Sequence, residues 1–187
     1  MTSKMQPPSS FALRVDYLPR AALALPGRLG LTRAPGRWVP GRHADSDVRL
    51  REDLAAIGAE GATMLVTLLE RAELVQLGDL RRETRRAGLT WVHFPIPDMW
   101  VPSDVAATRR LVGRVLGALE QGRNVVVHCW GGLGRAGTIA ACCLVAHGCE
   151  ARRAVATVRS ARPGAVQSVA QELFVRTFAV EGGAAVP

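Results

Sequence analysis

The sequence has no apolar run long enough to span a lipid bilayer, and its first ten residues contain no hydrophobic stretch typical of a signal peptide. Cysteine is absent from the first two thirds of the chain, and the four cysteines are Cys129, Cys142, Cys143 and Cys149. Two of them are adjacent and one directly follows a histidine, which argues against a framework of disulfide bonds. We therefore expect a cytoplasmic protein that is not associated with a membrane.

Lysine is almost absent, because Lys4 is the one lysine among 24 basic residues. The formal net charge of +8 is therefore carried by arginine, and it favours anionic ligands such as phosphate groups. The arginines are spread along the whole chain and do not form the concentrated basic patch typical of a nucleic-acid-binding protein. We expect phosphate groups, but not nucleic acid, among the ligands.

The chain has 187 residues, of which 48% are hydrophobic, so it can form one sizeable core. Short apolar segments at 62–69, 89–96 and 123–129 alternate with amphipathic helical patterns. This alternation predicts an α/β domain with a mainly parallel central sheet. We expect one domain over residues 11–181, between flexible tails at 1–10 and 182–187. Local signals also predict an edge strand over 11–18, a helix over 48–59 capped by Asp47, and a long helix capped by Ser103 that ends at Gln121.

The segment from Val125 to Thr138, VVVHCWGGLGRAGT, carries the clearest chemical signal. Cys129 follows a strand, at the carboxyl end where open α/β sheets bind their ligands. Glycines let the next residues turn so that successive backbone N–H groups face one centre and attract an anion. Arg135 then begins a helix whose N-terminal dipole faces the same centre. The pattern predicts a phosphate site with a thiol beneath it.

The positive field that binds phosphate also stabilises a thiolate, so we expect Cys129 to be ionised at neutral pH and to act as a nucleophile. Its attack on phosphorus would form a cysteinyl-phosphate, while the Arg135 guanidinium would hold two phosphoryl oxygens as a bidentate fork. This chemistry needs no metal and no cofactor. A carboxylic acid must protonate the leaving group, and Asp98 is favoured over Asp104, which is better placed to start a helix. His128 is expected to support the loop rather than to act as a base.

The segment HCWGGLGRAGT resembles the signature loop of the cysteine-dependent protein tyrosine and dual-specificity phosphatases, which has histidine, cysteine, five residues and arginine. It is most similar to the cyclin-dependent-kinase-associated phosphatase group, and the segments 29–36, 63–69, 93–98 and 161–168 fall in the order familiar from that group. The resemblance implies a three-layer fold with about five strands and a monomeric phosphatase of phosphoproteins or phosphopeptides, a kinase being one such substrate. It also implies Cys129 as nucleophile, Arg135 as phosphate clamp and Asp98 as general acid, with Gln167 close to the attacking water.

The remaining loop residues are expected to surround the phosphate, and none carries a charge. This favours a phosphoprotein over an inositol lipid with additional phosphates, and it leaves the choice between phosphotyrosine and phosphothreonine or phosphoserine open. Ala136 stands where these loops usually have serine or threonine, so hydrolysis of the phosphoenzyme should be slow unless Thr138 substitutes for the missing hydroxyl. The loop residues expected at the substrate are Trp130, Gly131, Gly132, Leu133, Gly134 and Ala136.

Two other functions are compatible with this loop. A phosphate-binding adaptor or pseudophosphatase would keep the N–H groups and Arg135 but turn over very slowly, which the alanine at position 136 makes conceivable. A sulfurtransferase or an arsenate-reducing enzyme would also use a cysteine in such a loop, but it has no use for Asp98. Cys142 and Cys143 lie too far along the next helix to serve as resolving thiols, and we expect them in the core.

Overall fold

The computed structural model describes residues 13–38 and 45–182. The strands are β1 (Asp16–Tyr17), β2 (Leu29–Thr32), β3 (Ala62–Thr67), β4 (Thr90–His93) and β5 (Asn124–His128). The helices are α1 (Arg20–Leu23), α2 (Ser46–Ala59), α3 (Arg71–Leu74), α4 (Leu80–Arg86), α5 (Val105–Glu120), α6 (Gly134–Ala146), α7 (Ala151–Ala161) and α8 (Val169–Gly182). Within these two ranges, no helix has both the length and the apolarity needed to cross a membrane. The predicted tail at 1–10 lies outside the described residues, as does the one at 182–187 apart from Gly182.

The strands form one sheet in the order β1-β2-β5-β3-β4. β1 is antiparallel to β2, whereas all other neighbouring strands are parallel. The predicted α/β fold with a mainly parallel sheet of about five strands is therefore confirmed. β5 is the central strand, and its residues Val125, Val126 and Val127 are completely buried, which explains its continuous apolar sequence.

The carboxyl ends of the parallel strands meet along one edge of the sheet. Thr32 of β2 and Thr67 of β3 are both register partners of His128 in β5, and Thr67 is also the partner of His93 in β4. A row of polar residues therefore crosses the sheet at the edge where α/β folds bind ligands. Cys129 is the next residue after this row.

α6 is buried along most of its length, from Gly134 to Leu144. It contacts β2 and β5 as well as α5, α7 and α8, while α2 and α4 pack together against β3 and β4. Close packing requires a glycine inside α6, because a Cβ on Gly137 would lie 2.8 Å from the backbone nitrogen of Val166. The helix that follows the loop after Cys129 is thus held by the core on several sides.

Two predicted helix caps are wrong by one or two residues. α2 begins after Asp45, whose carboxylate accepts hydrogen bonds from N–H groups of the first turn, so Asp47 lies inside the helix. α5 begins after Asp104, which accepts a hydrogen bond in the same way, rather than after Ser103. In both places neighbouring side chains compete for the capping position, and the one with the required extended backbone takes it. The predicted edge strand over 11–18 is reduced to Asp16–Tyr17 within the described residues, and the sequence analysis missed α1.

Candidate active site

Residues 129–133 connect β5 to α6, and the path of this loop requires glycine. Gly132 has a φ of 73°, and a Cβ there would lie 2.2 Å from the carbonyl oxygen of Thr32. A Cβ on Gly134 would lie 2.8 Å from Nε2 of Gln171. A side chain at Gly132 would therefore push the loop away from the backbone of β2, whereas one at Gly134 would displace the side-chain amide of Gln171.

Backbone N–H groups follow one another along this loop and the first turn of α6. Across residues 13–38 and 45–182, none of the N–H groups from Gly131 to Ala136 donates a hydrogen bond to a protein acceptor. Leu133, the N-cap of α6, supplies no side-chain acceptor either. Unpaired N–H groups at a helix N-terminus, together with the helix dipole, attract an anion. Cys129 immediately precedes this loop and is 3% exposed.

One small cavity brings together the residues that the sequence predicts to act on the substrate. Larger grooves lie between α2 and α4 and between α7 and α8, but no predicted site residue lines them. The small cavity is lined by Cys129, Arg135, Asp98, Gln167, Gly131 and Gly134, and also by Met99 and Gln171. The nucleophile, the phosphate clamp and the acid expected from the sequence are therefore neighbours in space.

Arg135 is 2% exposed and is held by two carboxylates. Its Nη1 donates to Oε2 of Glu73 at 2.7 Å, and its Nη2 donates to Oε1 of the same carboxylate at 2.8 Å. Nη1 also donates to the carbonyl oxygen of Ile96 at 3.1 Å. Glu73 was not among the residues predicted from the sequence, although it follows β3 at the same edge of the sheet as Cys129. A carboxylate just beyond a buried parallel strand was the available signal.

The ion pair between Arg135 and Glu73 shifts the pKa of each group in the direction that favours its charged form. Burial alone would lower the pKa of Arg135, but the hydrogen bonds that Arg135 donates to Glu73 reverse this effect and raise it. Burial would likewise raise the pKa of Glu73, and the bond to Arg135 outweighs it, so that this pKa lies below its ordinary value. Both groups are therefore charged at neutral pH.

Asp98 is the carboxylate that faces Arg135 from the opposite loop. Its Oδ1 lies 2.8 Å from Nη2 of Arg135, although the Asp98 side chain is 65% exposed. It lies in the turn after β4, where the following residue, Met99, has a φ of 58°. Asp104, the other candidate acid, accepts a hydrogen bond from an N–H group in the first turn of α5 and does not line the cavity. Of the two candidates, only Asp98 borders Cys129.

His128 is completely buried behind the loop and contacts the backbone of its neighbour. Nδ1 lies 3.2 Å from the carbonyl oxygen of Cys129. Nε2 lies 2.8 Å from Oγ1 of Thr67, and this oxygen accepts a hydrogen bond from Nε1 of Trp91 at 2.8 Å. Neither Thr67 nor Trp91 was predicted from the sequence to contact His128.

The His128 ring is neutral at pH 7. Burial is the main reason that its pKa is lowered to about 4, and the nearby charges of Arg135 and His93 lower it further. The hydrogen bond to the Cys129 carbonyl and the charge of Glu73 act in the opposite direction without restoring the ordinary value. A neutral ring cannot contribute a fixed positive charge to the cavity beside Cys129.

The position after Arg135 offers no hydroxyl to the cavity. Ala136 is completely buried. The Thr138 hydroxyl donates to the carbonyl oxygen of Gly134 at 2.9 Å, inside α6, and Thr138 does not line the cavity. The residue expected to substitute for the missing hydroxyl therefore makes a bond within its own helix.

Two glutamines at the start of α8 close another side of the cavity. The side chain of Gln171 is buried, and its Oε1 accepts a hydrogen bond from the N–H group of Gln167 at 2.9 Å. Its Nε2 donates to the carbonyl oxygen of Trp100 at 3.2 Å. Gln171, which the sequence analysis missed, thus connects α8 to the loop that carries Asp98.

Arginines hold the loop from outside the cavity. Arg162 donates from Nη2 to the carbonyl oxygen of Gly131 at 2.9 Å and forms an ion pair with Asp16. The guanidinium carbon of Arg37 lies 5.6 Å from the centre of the Trp130 ring. These contacts orient the loop from its outer side, and neither arginine lines the cavity.

A family model described as "Tc-R-P: Polymorphic toxin system, DSP-PTPase phosphatase" matches residues 41–149, which include Asp98, Cys129 and Arg135. The chain belongs to this phosphatase family. The predicted resemblance to dual-specificity phosphatases is thereby confirmed. The family and the fold support a hydrolase of the dual-specificity and protein tyrosine phosphatase kind.

Two relatives illustrate how far the similarity extends. Cyclin-dependent kinase inhibitor 3 of Rattus norvegicus is 25% identical over 171 residues, which are 89% of this chain and 78% of that protein. Protein tyrosine phosphatase domain-containing protein 1 of Mus musculus is 40% identical over 93 residues, which are 49% of this chain and 12% of that protein. The first similarity covers most of the phosphatase domain predicted here, and the second covers part of it.

Solved structures share the fold. Kinase associated phosphatase, with its catalytic-site cysteine substituted by serine, has a TM-score of 0.83 at 22% identity and covers 95% of this chain and 100% of its own. Tk-PTP in its active form has a TM-score of 0.67 at 28% identity, covering 82% of this chain and 92% of its own. These similarities show that the chain has the fold of these phosphatases over most of its length.

Proposed function

We propose that this dual-specificity phosphatase hydrolyses phosphate monoesters on proteins through a cysteinyl-phosphate intermediate. The observation that supports this most strongly is the common cavity of Cys129, Arg135 and Asp98. It is bordered by a loop whose N–H groups from Gly131 onwards have no acceptor among the described residues. A thiolate, a bidentate cation and an acid around one anion site are the groups that phosphoryl transfer requires.

In the first step, Sγ of Cys129 attacks phosphorus and the bond between phosphorus and the ester oxygen breaks. Asp98 gives its proton to the leaving oxygen, and Arg135 and the loop N–H groups stabilise the charge on the other phosphoryl oxygens. In the second step, water attacks phosphorus, Asp98 accepts a proton from that water, and the bond between sulfur and phosphorus breaks. Gln167, which lines the same cavity, is proposed to orient the water.

Arg135 is prepared for this role by Glu73. Because Glu73 binds Nη1 and Nη2 from one side, the guanidinium plane is fixed before substrate arrives. The Asp98 carboxylate, 2.8 Å from Nη2, occupies a position that a phosphoryl oxygen would also take. We propose that the incoming dianion displaces Asp98 from Arg135 and leaves it beside the leaving oxygen.

A phosphoprotein is the substrate that the loop fits best. Trp130 and Leu133 add no charge beside Arg135, so the site matches one phosphoryl group rather than several. A kinase is one candidate partner, because the relative in Rattus norvegicus is named a cyclin-dependent kinase inhibitor. The domain is proposed to extend over residues 11–181, and it is proposed to act as a monomer.

The proposal is tested by assaying the purified chain with an aryl phosphate and with phosphotyrosine, phosphothreonine and phosphoserine peptides, all in the presence of a chelator. We expect hydrolysis that orthovanadate inhibits and that the substitution Cys129→Ser abolishes. Cys149→Ser is the matched control, because Cys149 lies beyond the far end of α6 and outside the cavity. Tight phosphopeptide binding without turnover would instead support the adaptor function, which Ala136 favours.

A further inference from the structure

A chain of three hydrogen bonds leads from β4 through β3 to the loop that carries Cys129. Nε1 of Trp91 is 2.8 Å from Oγ1 of Thr67, Oγ1 is 2.8 Å from Nε2 of His128, and Nδ1 is 3.2 Å from the carbonyl oxygen of Cys129. The middle contact follows from the sheet register, because Thr67 and His128 are partners on neighbouring strands. Their side chains therefore lie on the same face of the sheet.

The direction of each bond can be assigned from the donors and acceptors alone. A carbonyl oxygen only accepts, so Nδ1 of His128 must carry the proton that bonds to Cys129. The indole N–H of Trp91 only donates, so Oγ1 of Thr67 accepts there and has its own proton left for Nε2 of His128. The ring is neutral, because burial lowers the pKa of His128 to about 4. Every donor in the chain then has one acceptor.

The opposite tautomer would place like groups together. With the proton on Nε2, the Nδ1 lone pair would face the lone pairs of the Cys129 carbonyl oxygen at 3.2 Å. Oγ1 of Thr67 would receive two N–H groups, and its own proton would lose the Nε2 acceptor. Both His128 and Thr67 are completely buried, so the lost bonds are not replaced by bulk water.

The carbonyl of Cys129 determines where the next N–H group points. The peptide bond between Cys129 and Trp130 is planar and trans, so its C=O and N–H groups point in opposite directions. A carbonyl held towards His128 therefore aims the Trp130 N–H away from the ring, towards the other side of the loop. This N–H is the first donor after the nucleophile.

We propose that Thr67 and Trp91 are positioning residues that set the Nδ1–H tautomer of His128 and thereby fix the peptide after Cys129. The inference rests on the proposed phosphatase function, which it deepens. It assigns a role to two residues that do not line the cavity. Loss of the Thr67 hydroxyl would allow the peptide to rotate while Arg135 and Glu73 keep their own contacts. The result would be a lower kcat with little change in KM.

The tautomer is measured by ¹⁵N NMR of the four histidines in the full chain, with His128 identified by the signal that disappears in His128→Asn. We expect the Nδ1–H form in the unsubstituted protein. Thr67→Val removes one of the two bonds that favour the Nδ1–H form, so it should shift the tautomer population towards Nε2–H and lower kcat roughly tenfold, the size of one neutral hydrogen bond. Thr67→Ser, which keeps the hydroxyl, should retain both the tautomer and kcat of the unsubstituted protein. Trp91→Phe, which keeps a ring but removes the N–H donor, should change the tautomer and kcat in the same direction by a smaller amount.

The matched control is Thr63→Val, which makes the same change at an exposed position near the opposite end of β3. An Nε2–H tautomer in the unsubstituted protein would overturn the inference. So would a folded Thr67→Val variant with an unchanged tautomer and kcat, and if that variant does not fold, Thr67→Ser and Trp91→Phe decide the question. Because NMR detects the tautomer without turnover, a chain that lacks phosphatase activity would contradict the proposed function and leave the tautomer test intact.

Discussion

Replacement of Glu73 by glutamine tests how Arg135 is held in the site. The two carboxylate oxygens of Glu73 accept from both terminal nitrogens of Arg135, at 2.7 and 2.8 Å. Glutamine keeps one oxygen and turns an NH₂ group towards the other guanidinium N–H, so one bond is lost and two donors face each other. The guanidinium is 2% exposed and cannot recover the bond from bulk water.

The expected cost follows from these contacts. A charge-assisted hydrogen bond contributes about 1.5–3 kcal/mol, and breaking a buried ion pair costs about 3–5 kcal/mol. The Glu73 side chain is 17% exposed and Arg135 retains Asp98, so a loss of about 2–3 kcal/mol is expected. If Arg135 must be reoriented in the transition state, the same energy lowers kcat/KM by roughly 30- to 150-fold.

Two measurements check this expectation for Glu73→Gln: urea unfolding and kcat/KM on an aryl phosphate. Glu73→Asp should fall between the two proteins, because it keeps the charge but shortens the reach. Glu120→Gln is the control, since it makes the same charge change at an exposed residue that ends α5. Its unfolding free energy should change by about 0.5 kcal/mol or less. If Glu73→Gln behaves like this control in both assays, Glu73 does not orient Arg135.

Asp98→Asn should lower kcat on phosphoserine peptides about 100-fold. It should lower kcat on an aryl phosphate with an acidic leaving group only a few-fold, because that leaving group needs little protonation. Equal losses on both substrates would show that Asp98 is not the general acid. Ala136→Ser should leave the pre-steady-state burst unchanged and accelerate steady-state turnover, because its hydroxyl can assist departure of the thiolate; an unchanged steady-state rate would contradict this. Burial lowers the pKa of His128 from 6.5 to about 4, so the unfolded chain binds the extra proton as the pH falls. The free energy of unfolding should therefore be highest above pH 6.5 and decrease by about 3 kcal/mol towards pH 4. Urea unfolding at several pH values measures this free energy. His128→Asn should reduce its dependence on pH more than a substitution of Glu73, because the lowered pKa of Glu73 affects stability only at the acid end of the range.

The parts of this protein that were predictable are those that local sequence encodes. The anion-binding geometry of the loop from Cys129 to Arg135 could be predicted, because a strand, several glycines and the first turn of a helix follow one another within a few residues. The helix caps show the limit of such reading. Asp45 and Asp47 are both suitable capping residues, and the choice between them depends on the backbone angles that the folded chain imposes.

The residues that the sequence analysis missed act across large separations along the chain. Glu73 lies 62 positions before Arg135, Thr67 lies 61 positions before His128, and Gln171 lies 71 positions after Trp100. No local pattern connects such pairs, since each one requires two elements to be packed at a particular register. Polar residues at the ends of parallel strands were the one general signal available for Glu73 and Thr67.

By itself, the amino-acid sequence determined the α/β class, and it placed the Cys129 thiol just before a helix that begins near Arg135. Both follow from local signals, namely the period of apolar residues, the positions of glycines and the spacing of residues within one short segment. Only the tertiary structure decided which carboxylates bind Arg135 and which hydroxyl meets His128. Those choices depend on the alignment of β3, β4 and β5, where a shift of one residue would turn Thr67 to the other face of the sheet.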